Sequence, residues 1–197
     1  MGRYARFAGI SRLGNALMKL GALPGRYGSA LILVLILVVV FSVIGAQFGW
    51  AALFRWETSI PLFGTQLSMT SLAELQWHIF SLLVMLAGAY TLVKDRHIRV
   101  DVVSMRFSWR LRVWIDILGD LFFLIPFFVL LTWFSISFVQ TSFAFGEQSN
   151  VGGLVDRYLV KAVLPIGSIL ILIASIGRVL RNIGLLLQKQ PYEGNDL

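Results

Sequence analysis

Hydrophobic and polar positions alternate along this chain in long blocks rather than with a short period. Predominantly apolar runs, whose few charged residues lie toward their ends, cover residues 29–49, 71–93, 109–140 and 156–183. A run of about 20 apolar residues crosses a bilayer core of roughly 30 Å, and residues 71–93 alone would rise about 33 Å as a helix. The pattern predicts an all-α membrane protein, with a four-helix transmembrane domain over residues 29–183 and a tail over 184–197.

The segment before the first apolar run, residues 1–28, is basic and contains no acid. Its apolar residues recur every three or four positions, which favours an amphipathic helix on the cytoplasmic membrane surface. A disordered basic tail is the alternative. The apolar positions are Tyr4, Phe7, Ile10, Leu13, Leu17 and Leu20, and the basic ones are Arg3, Arg6, Arg12, Lys19 and Arg26.

Local signals between and within the runs predict further details. Residues 50–70 contain Pro61 and Gly64 and predict a loop. Ser71 and Glu74 have the spacing of a capping box, which predicts that the second helix begins at Ser71 and that Glu74 caps it. Pro126 removes one backbone hydrogen bond and predicts a kink in the third helix.

Composition supports the membrane assignment and excludes several other classes. The chain is 57% hydrophobic and 14% charged, against about a quarter charged in soluble domains. Its net charge of +7 comes from residues that lie between apolar runs, which is typical of topology signals and argues against a nucleic-acid partner. Without cysteine there are no disulfides or thiolate metal ligands. We predict no catalytic, cofactor or metal site in this chain.

The distribution of lysine and arginine predicts the orientation. Five lie in residues 1–28 and six in residues 94–112, whereas the connectors on the other side hold only Arg55, Arg157 and Lys161. Because positive residues favour the cytoplasmic side, both termini are predicted to face the cytoplasm.

Acids and bases near one end of the spans are spaced to share helix faces. Asp116 and Asp120 are four residues apart on the third helix, and Arg178 and Arg181 are three apart on the fourth. Because an unpaired carboxylate in a membrane is costly, we expect these two pairs to meet. The alternative for Asp116 is a contact with Arg112 at headgroup level.

A second charged group is expected near the other end of the spans. Arg157 and Lys161 open the fourth helix, and Glu74 and Glu147 lie at a similar depth, which favours another ion pair between helices. Snorkelling of Lys161 to water remains open as the alternative.

Several longer motifs are more specific than hydropathy. Because the positive-inside rule requires only Lys and Arg, the acids and histidine of the 95–101 cluster suggest a structured loop packed against a partner. The motifs are Glu74-x-Gln76-Trp77, the stretch 88–92, Asp95-x-His97-Ile98-Arg99-Val100-Asp101, Trp114-Ile115-Asp116, Gly152-Gly153-Leu154 and Arg157-Tyr158. Together they resemble the small permease subunit of the tripartite ATP-independent periplasmic (TRAP) transporters, the DctQ-like family.

The resemblance implies a function and partners. A DctQ-like subunit lies in the bacterial inner membrane beside a large DctM-like subunit, which carries the substrate and sodium sites. A periplasmic DctP-like protein delivers organic anions, such as carboxylates, to both. The resemblance therefore implies that this chain is a scaffold subunit surrounded by membrane lipids. It implies no cofactor and no catalytic activity in this chain, which would help to dock the binding protein.

Two other classes of membrane protein fit the residues less well. The membrane anchor of an oxidoreductase usually presents facing haem ligands, but His78 and His97 would lie about 28 Å apart on a continuous helix. A small channel or exporter usually places an acid near the bilayer centre, whereas the acids here lie toward the ends of the spans. The residues predicted to matter structurally or at interfaces are Glu74, Gln76, Trp77, Asp95, His97, Arg99, Asp101, Asp116, Asp120, Glu147, Arg157, Lys161, Arg178 and Arg181.

Overall fold

The computed structural model of the chain describes residues 2–94 and 107–188, with the backbone alone for residues 2–8 and 29. Helices dominate these residues, and one short β-hairpin interrupts them. In chain order the elements are α1 (Gly2–Arg26), α2 (Gly28–Gln47), β1 (Ala52–Ile60), β2 (Gly64–Ser68), α3 (Met69–Val93), α4 (Trp109–Gly119), a π-helical turn (Asp120–Leu124), α5 (Ile125–Ala144), α6 (Tyr158–Lys161) and α7 (Val163–Gln188).

Within the described residues, four helical stretches are long and apolar enough to cross a membrane, which agrees with the predicted number of spans. They are Gly9–Gln47, Met69–Val93, Trp109–Ala144 and Tyr158–Gln188. The last stretch extends past the predicted boundary at residue 183, to the end of α7 at Gln188.

The connector that was expected to be a loop is instead an antiparallel hairpin of β1 and β2, so the fold is mostly helical rather than all-α. Pro61 and Gly64 do interrupt the strands, but they do so in the turn, where Leu62 and Gly64 have left-handed φ angles of 72° and 64°. The Nε1–H of Trp56 closes the turn by donating to the Gly64 carbonyl at 2.5 Å. The aromatic and β-branched residues of β1 favour the extended conformation that the turn signals obscured.

The start of α3 differs from the predicted capping box. The helix begins at Met69, and the amide of Ser71 donates to Oγ of Ser68 at 3.0 Å. The amide of Ser68 points back at Oγ of Ser71 at 3.4 Å. Ser68 and Ser71 thus form the reciprocal box three residues early, and the prediction that Glu74 caps the helix is wrong because the capping groups are already paired.

The distortion expected at Pro126 takes the form of a π-helical turn just before it. The amide of Ile125 donates to the Asp120 carbonyl five residues back, instead of four. Because Pro126 has no N–H, the carbonyl of Phe122 cannot receive the usual helical bond from it. The wider turn accommodates this gap at the residues that follow Asp120.

The chain divides into two compact units. The first contains the described residues within the ranges 1–26, 86–131 and 167–197. In it, α1 runs along α7: a Cβ on Gly14 would lie 2.6 Å from the Gly177 carbonyl oxygen, and one on Gly21 would lie 2.7 Å from that of Leu170. Its buried core consists of Met18, Ala22, Ala89, Leu92, Val93, Ile171 and Ala174.

The second unit contains residues 27–85 and 132–166, which include α2, the hairpin, the first part of α3 and the loop before α6. A Cβ on Gly45 would lie 2.7 Å from Sδ of Met69, so α2 approaches the start of α3 closely at this glycine. The loop of residues 145–157 folds back on the hairpin, and most of the described charged contacts of this unit lie there.

Candidate functional site

The first unit contains a buried ion pair between Asp120 and Arg178. Asp120 is 2% exposed. Nε of Arg178 donates to Oδ2 at 2.6 Å, and its Nη2 binds Oδ1, so the guanidinium grips the carboxylate with two parallel bonds. This forked geometry is the strongest arrangement available to such a pair and compensates part of its desolvation.

The elements around this pair explain how it is positioned. Asp120 begins the π-helical turn, where one extra residue per turn changes which side chains face α7. Arg178 lies on a face of α7 that also buries Ser168, Ser175 and Asn182. Of the four residues in the predicted double pairing, the structure joins these two; Asp116 and Arg181 are half-buried, and each also has an interacting partner.

The second unit contains a larger group of charged contacts, which we call the loop network: Glu74, Glu147, Arg157 and Lys161 with Ser142 and Ser149. Glu74 reaches from α3 into the loop before α6. Its carboxylate accepts bonds from Oγ of Ser149 at 2.6 Å, from the amide of Leu154 at 2.8 Å and from Nη2 of Arg157 at 3.2 Å. A side chain expected to cap its own helix therefore holds a loop 80 residues away in sequence.

Glu147 forms the other half of the loop network. Oε2 accepts from Nζ of Lys161 and from Oγ of Ser142, the latter at 2.8 Å. Nη1 of Arg157 lies 4.0 Å from Oε1. The hydrogen bond from Lys161, then that from Ser142 and the nearby positive charges, hold the pKa of the Glu147 carboxyl below its ordinary value of 4.5, although partial burial opposes them. Glu147 therefore stays ionised at neutral pH and balances Lys161.

Two adjacent glycines let the loop close over Glu74. Gly152 has a left-handed φ of 73°, which favours glycine. A Cβ on Gly153 would lie 2.5 Å from Cδ of Glu74, which is inside contact distance. The Gly152-Gly153 motif thus has a physical reason: the first glycine supplies the turn and the second supplies space for the carboxylate.

The hairpin packs against the same loop. The amide of Val155 donates to the Leu62 carbonyl at 2.9 Å, and the amide of Leu62 lies 3.4 Å from Oδ2 of Asp156. Oγ of Ser68 lies 3.4 Å from the Gly152 carbonyl. The loop and the hairpin therefore form one braced surface, which we call the loop–hairpin surface.

Other residues singled out in the sequence make fewer described contacts. Gln76 is half-buried, and Trp77 is 72% exposed on α3. Nδ1 of His78 lies 2.7 Å from the Glu74 carbonyl oxygen, and its buried Nε2 has no hydrogen-bond partner within residues 2–94 and 107–188. The motif residues Asp95, His97, Arg99 and Asp101 lie outside the described residues.

The chemistry of these sites is that of pairing rather than of ligand coordination. In the part of the chain that the structure describes, no three His, Asp or Glu side chains form a group that would hold a metal ion. In both groups the carboxylates lie against guanidinium, ammonium, hydroxyl or amide donors. Such contacts fix helices and loops in place.

Comparison with protein families decides the identity. The family model described as "Tripartite ATP-independent periplasmic transporters, DctQ component" matches residues 68–184, more than half of the chain. The chain belongs to the DctQ family. It is therefore a component of a tripartite transporter, and a DctQ component implies a large membrane subunit and a substrate-binding protein beside it. With its four apolar helices, this DctQ chain is a multi-pass protein of the inner membrane. No curated protein and no solved structure matched the chain.

The matched range includes both charged groups of this DctQ chain but not α1 or α2. Sequence reasoning missed Ser142 and Ser149 because a lone serine in a polar loop carries no spacing signal. It also missed a signal that was present in α7, where Ser168, Ser175 and Asn182 follow one another at intervals of seven residues. That repeat marks one helix face and identifies the side that is buried with Arg178.

Proposed function

We propose that this chain is the small scaffold subunit of a secondary-active TRAP transporter for organic anions of the carboxylate class. It packs beside a DctM-like large subunit, which holds the substrate and the coupling sodium ions, and it performs no chemistry itself. The observation that carries the proposal is the DctQ family match over three of the four spans.

The exposure of α2 supports a scaffold role. Along this helix, a single stripe is buried or half-buried, and the remaining described side chains are exposed. An apolar helix that uses one narrow stripe within its own chain leaves the other faces for lipid or for a partner helix. The stripe is formed by Leu31, Leu35, Val38, Ser42 and Gly45.

The third span supports the same role with a different surface. Trp133 and Phe134 occupy successive positions of α5, and both are exposed. Phe127 and Phe138, one to two turns away on the same helix, are exposed as well. Rigid aromatic side chains bury a large area when a second apolar surface covers them. We propose that α2 and α5 provide the faces that the large subunit and lipids share.

We propose that the loop–hairpin surface faces the periplasm and contributes to docking of a DctP-like binding protein. The distribution of Lys and Arg supports this orientation, because it favours cytoplasmic termini and, with them, a loop–hairpin surface on the periplasmic side. Phe145 and Val151 are 83% and 70% exposed there, on a loop that Glu74 and Glu147 hold in place. Exposed apolar side chains on a braced loop suit a transient protein contact, because little order is lost on binding.

Uptake measurements test the proposal as a whole. The chain is co-expressed with DctM-like and DctP-like proteins of the same organism, and accumulation of labelled carboxylates is measured with each component omitted in turn. We expect uptake only with all three, and reduced recovery of the large subunit when this chain is omitted. Undiminished uptake without this chain would contradict the scaffold role.

A Val151→Ser variant separates docking from scaffolding in the same assay. Because Val151 is exposed, the substitution should leave the large subunit stable while weakening binding of the DctP-like protein to the complex. Arg110→Gln, an exposed change on α4 and outside the loop–hairpin surface, is the matched control and should leave both unchanged. Wild-type binding in Val151→Ser would remove this residue from the docking surface.

A further inference from the structure

Helix α1 has two different faces, and only one of them is used within the chain. The inward face consists of small or slender residues that pack against α7 and the end of α3. Gly14 meets the backbone of Gly177 and Arg181, Gly21 meets Ala174, and Gly25 meets Leu86 and Tyr90. These contacts hold the helix in one rotational setting, so its opposite face is fixed as well.

The opposite face carries an exposed apolar stripe. Leu13, Leu20 and Leu23 are each more than half exposed, and Ala16 is exposed between them. At 100° per residue these four positions lie within about 80° of arc, on the side away from Met18 and Gly25. Each side chain could have been polar at no cost to the inward packing, so the stripe requires an apolar environment outside the chain.

A cationic stripe borders the apolar one. Arg12, Lys19 and Arg26 are seven residues apart, so they fall on one line along the helix, and all three are exposed. No acid occurs anywhere in residues 1–28. Two adjacent stripes, one apolar and one purely cationic, are the arrangement of a helix that contacts acyl chains on one side and anionic headgroups beside them.

The position of α1 in the chain identifies the occupant of this face. The uncharged helix α2 begins at Gly28, two residues after Arg26, and the stretch that is long and apolar enough to cross a membrane already begins within α1, at Gly9. The cationic stripe therefore lies on the same stretch as a membrane span, where lipid headgroups are present. An acidic protein surface would satisfy the cations but would not account for the leucine stripe.

We propose that Arg12, Lys19 and Arg26 form a binding site for anionic phospholipid headgroups, with Leu13, Ala16, Leu20 and Leu23 inserted among the acyl chains beside them. The site concerns the isolated chain and is independent of the transporter partners. It makes the lipid environment part of what holds α1 against α7, since each bound headgroup favours the docked helix over the undocked one.

The experiment uses the absence of cysteine in the chain. A fluorophore is attached to Leu20→Cys in the full chain in nanodiscs, and quenching by nitroxide-labelled phosphatidylglycerol is compared with quenching by equally labelled phosphatidylcholine. Leu37→Cys, on an exposed face of α2, is the matched control. We expect stronger quenching by phosphatidylglycerol at Leu20 and equal quenching by the two lipids at Leu37.

Removing the charges tests the residues. Each Lys or Arg near an anionic surface contributes a factor of about five to binding. The triple variant Arg12→Gln, Lys19→Gln, Arg26→Gln should therefore lose the preference, and a variant with Arg12→Lys and Arg26→Lys should keep it. In the labelled chain with all three cations intact, raising the salt concentration should also remove the preference for phosphatidylglycerol. This test needs no charge substitution.

Three results would overturn the proposal. Equal quenching by the two lipids at Leu20 would show that anionic lipid is not enriched there. A preference that survives the triple variant would assign it to other residues. If neither lipid quenches the label at Leu20, and a co-purified protein shields it from the nitroxides, the face would be assigned to a protein partner.

Discussion

The buried pair and the loop network hold the molecule by different means. Asp120 and Arg178 have their charged atoms nearly removed from solvent and gain their main compensation from each other. Glu74 and Glu147 share their contacts among Arg157, Lys161, two serines and a backbone amide, and Arg157 is about one-third exposed. The described stabilisation of the pair is therefore concentrated in two parallel bonds, whereas that of the network is distributed over several contacts.

This difference has a consequence for function. A pair that fixes α7 against the third span suits a frame that does not change during transport. A network near solvent that holds the loop of residues 145–157 in place suits a surface that meets another protein. Substitutions in the two groups should separate folding from docking.

The largest effect is expected for Asp120→Ala. It leaves the Arg178 guanidinium buried without its carboxylate, which costs about 3–5 kcal/mol of unfolding free energy. Unfolding of the purified chain, followed as a function of denaturing detergent, measures this loss. Gln140→Ala, an exposed change on α5, is the control and should lie within about 0.5 kcal/mol of wild type.

A double variant distinguishes the loss of the ion pair from the cost of leaving one buried charge without a partner. Because well-packed apolar residues often replace a buried ion pair without loss, Asp120→Leu combined with Arg178→Met should recover most of the stability lost in Asp120→Ala. A double variant less stable than the single would mean that Asp120 or Arg178 has another essential partner.

A smaller loss is expected for Glu74→Ala, which leaves the Leu154 amide and the Ser149 hydroxyl without their acceptor. The cost of such unsatisfied groups is about 1–3 kcal/mol. Limited proteolysis within residues 145–157 should accelerate together with the loss of stability. Glu74→Gln, which keeps an acceptor oxygen, should be affected less, and Glu57→Gln on β1 should not be affected. Unchanged proteolysis in Glu74→Ala would contradict the bracing role.

Gly153→Ala tests the same contact from the other side. Because the added Cβ meets the Glu74 carboxylate, we expect a loss of about 1 kcal/mol. Gly119→Ala is the matched control, since nothing lies within 4 Å of its Cβ position and alanine favours a helix. If both alanine variants have wild-type stability in the same unfolding assay, the close approach of loop and carboxylate is not required.

The smallest effect concerns pH. Because Lys161 and Ser142 lower the pKa of Glu147 in the folded chain, Glu147 contributes stability that is fully present above its ordinary pKa of 4.5. This contribution should be lost as the pH falls through the lower, folded pKa. Thermal unfolding of wild type and Glu147→Gln across this range should converge at the acidic end. A difference that stays constant with pH would show that the charge of Glu147 is irrelevant.

Part of this architecture could be predicted from the sequence and part could not. The four spans follow from the length of the apolar runs, which is a strong signal. The hairpin was missed because Pro61 and Gly64 dominate the local pattern, although they form only its turn. The contacts of Glu74 with the Ser149 hydroxyl and the Leu154 amide were missed because these groups lie 75 and 80 residues away, and local spacing favoured a cap instead.

The loop network shows the limit most clearly. Residue types and depth indicated that Glu74, Glu147, Arg157 and Lys161 would lie near one another, but spacing could not say which acid meets which base. Asp120 and Arg178 were easier to expect, because a charge within an apolar run needs a partner and few were available. In this membrane protein, the sequence thus predicts reliably that the charges within the spans are paired, but it predicts less reliably which residues form each pair.

The most direct test of the scaffold assignment is a mild-detergent purification of the tagged chain, with every co-purifying protein identified by mass and the complex examined by absorbance. A DctM-like membrane protein much larger than this 22.1 kDa chain, colourless and in stoichiometric amount, is the predicted result. A haem spectrum with a redox partner, or a complex that contains only copies of this chain, would contradict the account.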